Sequence, residues 1–124
     1  MNDLATRSGT PRIFGVNWFR LDENGKFLWP GYGDNMRVLK WIVERCLGRA
    51  QAVDTPLGCA PSFEDLDLSG MDGMNRDQFV KLMSLDAKLW HKELLDHDVL
   101  FKNLQERLPA AMKAEREALA KSFG

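Results

Sequence analysis

Three aromatic residues stand where they can hold a flat ring: Phe19, Phe27 and Tyr32, the last between Gly31 and Gly33, with Asp34 and Asn35 directly after it. Rings that stack on a planar heterocycle tolerate any base, whereas edge hydrogen bonds choose among bases. A backbone turn and a helix start beside such rings supply that edge recognition. Glycines on both sides of Tyr32 let the backbone approach a ligand closely. The chemistry on offer is therefore recognition of a purine, with no bond made or broken.

The elements that must position these residues are legible around them. From Ile13 to Leu21 β-formers dominate, Asp22-Glu-Asn-Gly25 supplies turn chemistry, and Lys26-Phe-Leu-Trp29 resumes the apolar run, which predicts a β-hairpin. Alternation would place Phe14, Val16 and Trp18 on one face and Ile13, Asn17 and Phe19 on the other. Pro30 and Gly31 end the second strand. Asp34 or Asn35 can then cap a helix carrying Met36, Val38, Leu39, Ile42, Val43 and Cys46, with Gly48 as its C-terminal cap.

Further along, Gln51 to Pro61 holds short extended pieces around Val53 and Leu57, and Phe63 to Gly73 reads as loop. Asn75 with Gln78 resembles a capping box opening a helix with Phe79, Leu82 and Met83. A longer helix is expected from about Asp86, with Trp90, Leu94, Phe101, Leu104 and Leu108 on one stripe. Pro109 suits the first turn of a last helix, in which Met112, Leu119 and Phe123 face inward and Lys113, Arg116 and Lys121 outward. The fold class is α+β: an N-terminal hairpin or small sheet on about four helices, with a mainly helical C-terminal half. Residues 1–11 read as a flexible arm and 12–124 as a single domain, divided into a hairpin-and-helix part (12–48) and a helical part (74–124).

Composition narrows the function classes. The 124 residues are 44% hydrophobic and 28% charged, an ordinary globular balance without a transmembrane run. Lys plus Arg (17) nearly cancel Asp plus Glu (18), so no global field draws in nucleic acid or an anionic membrane. Cys46 and Cys59 form no CxxC pair and the N-terminus lacks a signal-peptide pattern, so a cytoplasmic setting with both thiols reduced is expected.

The run Arg12-Ile-Phe-Gly-Val-Asn-Trp-Phe-Arg20, then Lys26-Phe-Leu-Trp-Pro-Gly-Tyr-Gly-Asp-Asn35, then Arg37-Val-Leu-Lys-Trp-Ile-Val43 resembles the guanine-binding segment of GTP-dependent phosphoenolpyruvate carboxykinase. The likeness continues more weakly to the C-terminus. It implies that Phe19 and Tyr32 sandwich the guanine and that Phe27 packs at its edge. Gly33, Asp34 and Asn35, with the turn backbone, then read its hydrogen-bonding edge. The family commonly has Phe-Gly-Glu-Asn where this chain has Tyr32-Gly33-Asp34-Asn35, and Ser in place of Met36; the pocket is expected to survive both departures.

The resemblance further implies the parent reaction, oxaloacetate and GTP to phosphoenolpyruvate, carbon dioxide and GDP, a step of gluconeogenesis. GTP or GDP is the nucleotide and manganese or magnesium the metal. That family's proteins are several times longer, and their P-loop, metal ligands, substrate arginines and lid precede the matched segment. This chain is thus expected to be a truncated C-terminal piece, excised or natural, that does not turn over alone. Its uncovered apolar surface, including a strand edge near Phe14 to Trp18, invites self-association.

Other readings of the same residues stay in view. Aromatic clusters are usually core, so Trp18, Phe19, Phe27 and Trp29 also fit a hairpin packed on a helix, and Trp18, Trp29 and Trp41 read as structural. A non-enzymatic interaction module on the same fold is the alternative. A single-stranded nucleic-acid binder using Trp18, Phe19 and Phe27 is disfavoured by the neutral charge. Gly31-x-Gly33 lacks the third glycine of a dinucleotide loop, and Gly25-Lys26 lacks both the first glycine and the Ser or Thr of a P-loop. Asp65-x-Asp67-x-Ser69-Gly70 has Arg76 where a calcium loop needs Glu, so it reads as a solvated turn. His91 and His97, six apart, share no helical face, and His97 reads as packed rather than catalytic.

Overall fold

The structure is a computed structural model that describes residues 9–124. The expected arm lies outside the described residues over positions 1–8. The chain folds as α+β, with a two-stranded antiparallel sheet and four α-helices among the described residues. Helix α1 spans Asn35–Cys46, strands β1 and β2 span Val53–Thr55 and Gly58–Ala60, and helices α2, α3 and α4 span Arg76–Met83, Ala87–Leu104 and Ala110–Ser122. Two compact units form: residues 9–52 with Pro61–Leu82, and Val53–Ala60 with Met83–Gly124.

In the first unit the buried side chains are Trp29, Trp41, Leu66, Met71 and Phe79. Phe14 meets Trp41 edge to face at 6.1 Å, and Phe63 meets Phe79 the same way at 5.5 Å. The Trp41 indole N–H donates to the Gln51 carbonyl at 3.1 Å, satisfying the one polar atom that its burial would strand. None of the residues expected on the α1 stripe is buried: Met36, Leu39, Val43 and Cys46 stay exposed, Val38 and Ile42 are partly covered, and the buried residue of the helix is Trp41 instead.

The predicted hairpin of residues 13–29 is reduced to a single antiparallel bridge, Leu21 to Phe27; the regular sheet is β1–β2 instead. The reason lies in the flanks. The Phe19 amide donates to the Asn17 side-chain oxygen at 3.0 Å, so a local bond takes the place of a ladder bond. On the other side Trp29 turns into the core and Pro30 has no N–H to give. The strand edge proposed near Phe14 to Trp18 is therefore not formed. In β1–β2 the two-residue loop Pro56-Leu57 is closed by Thr55, whose hydroxyl donates to the Gly58 carbonyl at 2.6 Å.

Helix α2 begins as its capping signature predicts, the Asn75 oxygen accepting from the Gln78 amide at 2.9 Å. Asp86 caps α3 through the amides of Lys88 and Leu89 at 2.8 and 3.1 Å.

The long stripe is broken, however. Helix α3 ends at Leu104, and Gln105 takes a left-handed φ of 46° before a short 3-10 turn, Gln105–Arg107. Leu108 is buried but extended, because the residue before a proline is disfavoured in helix. Pro109 occupies the N-cap of α4.

Arg116, expected to face outward, folds onto α3 instead, its guanidinium donating to Asp98 at 2.7 Å and to the Leu94 carbonyl at 3.5 Å. Trp90 stacks flat on Phe123, centroids 5.4 Å apart and 7° between planes, and Leu94 and Leu108 are buried. No helix among the described residues is long and apolar enough to cross a membrane.

Candidate functional site

The ring pair is set by the turn between its two members. Asp22 Oδ1 accepts the amides of Asn24 at 2.8 Å and Lys26 at 2.9 Å, while its own amide donates to the Lys26 carbonyl at 2.8 Å. Gly25, at φ 75°, completes the turn. The amide of Lys26, joined by that of Asn24, holds the Asp22 carboxyl below the usual carboxylate range. Leu28 N–H to the Arg20 carbonyl, 2.9 Å, and the bridge Leu21–Phe27 then bring the two arms side by side.

Phe19 and Phe27 consequently meet edge-on at 6.2 Å and 63°. They remain 74% and 56% exposed. Two polar ties hold this turn to α2: the Arg20 guanidinium donates to the Leu82 carbonyl at 2.8 Å, and Lys81 pairs with Glu23 at 3.1 Å.

Beyond Trp29 the chain reverses through Pro30 and Gly31. Gly31 sits at φ 115° and ψ −153°, a conformation that only glycine adopts without strain. Tyr32–Asp34 form one 3-10 turn, with the Asp34 amide on the Gly31 carbonyl at 3.1 Å, and run directly into α1. Tyr32 is 94% exposed.

Asp34 occupies the N-cap position of α1 but makes no side-chain cap, because its carboxylate receives Arg37 Nε at 2.8 Å. Nor does Asn35 cap: its Oδ1 accepts the indole N–H of Trp29 at 2.8 Å. Trp29 in turn is 3% exposed and lies against Trp18, centroids 6.2 Å apart.

The structure thus joins Phe19 to Phe27, and ties Asn35 to Trp29 across the Pro30-Gly31 reversal. Among the described residues no ring contact joins Tyr32 to the phenylalanine pair. Phe19, Phe27 and Tyr32 are each exposed to solvent. Two grooves lie elsewhere, one of about 430 Å³ beside Trp90 and His97 and one of about 280 Å³ beside Arg37, Lys40 and Asp65.

Sequence reasoning treated Arg20 as part of a motif and Trp29 as core, and so missed both as supports of the site. A buried indole N–H usually finds an acceptor. That signal would have called for an acceptor near Trp29, with Tyr32, Asp34 and Asn35 as the nearby candidates and nothing in the sequence to choose among them.

The remaining motifs take structural roles. Asp67 Oδ1 accepts the hydroxyl of Ser69 at 2.5 Å and its amide at 3.4 Å, and these bonds, with Lys40, hold the Asp67 carboxyl below the usual range. Arg76 pairs with Glu64, lowering that carboxyl too, and lies over the Phe63 ring at 4.9 Å. His97 is half-buried and stacks on Phe101. Among the described residues no three His, Cys, Asp or Glu side chains gather as a metal-holding set.

Comparison with known proteins agrees with the motif. The family described as phosphoenolpyruvate carboxykinase C-terminal P-loop domain matches residues 1–122. The phosphoenolpyruvate carboxykinase (GTP) of Anaeromyxobacter dehalogenans is 48% identical over 118 residues, covering 94% of this chain and 20% of that protein. The protein of the same name from Paenarthrobacter aurescens is 45% identical over 114 residues, covering 92% and 19%, and that from Renibacterium salmoninarum is 41% identical over the same length and shares. The chain spans about a fifth of the length of these curated relatives. With the motif, the geometry and a match along almost its whole length, this chain belongs to the family of the C-terminal domain of GTP-dependent phosphoenolpyruvate carboxykinase.

Proposed function

We propose that this chain supplies the guanine-recognition surface of a GTP-dependent carboxykinase, with Phe19 and Tyr32 as stacking rings and Phe27 at the base edge. Gly33, Asp34 and Asn35 provide the edge contacts. One observation carries the reading: Phe19 and Phe27 are exposed aromatic rings on a backbone fixed by Asp22, Arg20 and Lys81. Large apolar rings left in water on a rigid turn are preorganised to stack, so little ordering is lost on binding. The parent reaction makes phosphoenolpyruvate, carbon dioxide and GDP from oxaloacetate and GTP in a reducing cytoplasm, a setting that suits the free thiols Cys46 and Cys59. The described residues gather no set of metal donors, so no manganese or magnesium step is assigned to them. The chain alone binds the base and does not catalyse.

Titration with GDP, and with ADP as control, tests this through tryptophan fluorescence, since Trp18 and Trp29 lie beside the rings. Stacking contributes about 1–3 kcal/mol per base against an association cost of roughly 4–15 kcal/mol. A dissociation constant of about millimolar or weaker follows. A saturable GDP-selective change supports the reading, and identical responses to the two nucleotides in a folded sample refute it.

A second reading, a self-associating module, draws on α3, where Leu89, Leu95, Val99 and Leu100 are all more than half exposed. Light scattering across a wide concentration range decides it, a constant monomer mass being the outcome against.

A further inference from the structure

We propose that Trp29 sets the base selectivity of this surface by fixing which end of the Asn35 amide faces the ligand, an inference that rests on the guanine reading above. The indole N–H is a donor only, and at 2.8 Å from Asn35 it demands the amide oxygen. A flipped amide would set N–H₂ against N–H inside a region where Trp29 is 3% exposed, leaving the indole donor without an acceptor. The ring itself does not move to accommodate a flip, held by Trp18 on one side and by Pro30 next in the chain. Asn35 is equally fixed at its backbone, whose N–H donates to the Tyr32 carbonyl at the junction of the 3-10 turn with α1.

The oxygen is thereby committed inward, and the amide presents its N–H₂ donors on the remaining edge. A donor complements the carbonyl at C6 of guanine or hypoxanthine. Adenine carries an amino donor at that position, so donor meets donor and the contact is lost. An Asn35 released from Trp29 rotates about its terminal torsion and offers either end, serving both purines alike. Trp29 is thus a positioning residue that converts an ambiguous amide into a one-way reader.

The test follows ¹⁵N-labelled full chain by NMR while GDP, IDP and ADP are titrated separately. IDP shares the C6 carbonyl with GDP but lacks its 2-amino group, so the IDP-to-ADP ratio removes the 2-amino contribution and reports the C6 and N1 edge alone. Trp29→Phe keeps a buried ring and deletes the N–H. It should reduce the preference for GDP and IDP over ADP by about three- to tenfold, the size of one ordinary hydrogen bond, mainly through a gain in ADP affinity, because the freed amide can now accept from adenine while still able to donate to the C6 carbonyl. Should Trp29→Phe fail to fold, site-specific replacement of Trp29 by benzothienylalanine preserves the two-ring shape without the donor and gives the same readout.

Asn35→Asp supplies the converse. The carboxylate still accepts from Trp29 but turns an acceptor toward the base, so the preference should reverse toward ADP. Equal weakening of all three nucleotides in the Trp29 variants would mean a merely structural tryptophan and would overturn the proposal, as would an unchanged ratio or an Asn35→Asp chain that still prefers GDP. A wild-type chain with no GDP preference refutes the guanine reading and this inference together. A GDP-selective wild type with an unaltered Trp29→Phe ratio refutes this inference alone.

Discussion

Trp90 and Phe123 in the second unit lie flat on each other, 7° between their planes, whereas Phe19 and Phe27 in the first meet at 63°. A stacked pair covers one face of each ring with the other. An edge-on pair leaves faces free, and here both rings are also more than half exposed. The polar surroundings differ in the same sense. The ring-bearing turn is braced by a carboxylate accepting two amides, a guanidinium on a helix carbonyl and an ion pair, while the Trp90–Phe123 pair sits between two helices whose closest polar tie is Arg116 to Asp98. Aromatic content therefore does not separate recognition from packing. What distinguishes the proposed recognition pair is a braced backbone under uncovered rings.

The comparison breaks most severely if the buried anchors prove dispensable. Trp41→Ala in the first unit should cost about 3–5 kcal/mol and Leu94→Ala in the second about 2–5 kcal/mol, by denaturant unfolding. Phe19→Ala, at a largely exposed position, should stay within about 1 kcal/mol of wild type. A Phe19→Ala chain as destabilised as Trp41→Ala would make that ring core after all.

On binding the order inverts. Phe19→Ala should weaken GDP by about 1–3 kcal/mol, roughly five- to 150-fold. Leu95→Ala, also more than half exposed but on α3, should leave GDP affinity unchanged. Matching losses from both substitutions would show that exposure, and not the braced turn, governs the response.

Gln105 offers a gain in the second unit. Its φ of 46° with ψ −124° costs a side-chain-bearing residue about 1–3 kcal/mol of backbone strain. Gln105→Gly should stabilise by about 1 kcal/mol once the added freedom of the unfolded chain is deducted. A lower melting temperature for Gln105→Gly would show the strain to be absent.

How much of this was legible depended on whether a feature was local. The cap at Asn75, the turn at Asp22 to Lys26, the helix starting near Asp86 and the start of α4 after Pro109 are short-range and read directly from side-chain chemistry. The strand from Ile13 was misplaced because β propensity says nothing about a partner, and Asn17 and Pro30 removed the ladder. The stripe through Leu108 treated Gln105 as one more helical residue, since no helical period registers a left-handed φ. At the proposed site, the motif supplied the candidate residues, but the bond between Trp29 and Asn35 crosses a reversal that no periodicity describes.

Acid gives the smallest and most local contrast. The carboxyls held below their usual range, Asp22, Glu64 and Asp67, all lie in the first unit. For Asp22 the folded value is depressed, so its contribution is complete above the unfolded carboxylate value and is lost as pH falls through the folded one. At neutral pH the turn is therefore fully braced. On acidification the amide resonances of Lys26 and Asn24 should move together, as protonation weakens the bonds Asp22 Oδ1 accepts, while those of Trp90 and Phe123 stay in place.

Asp22→Asn preserves an uncharged acceptor and should remove that joint movement, at the cost of somewhat weaker bonds from the two amides. Titration of the two amides persisting in Asp22→Asn would place the acid-sensitive group elsewhere, and the turn under the ring pair would lose the brace that distinguishes it from the second unit.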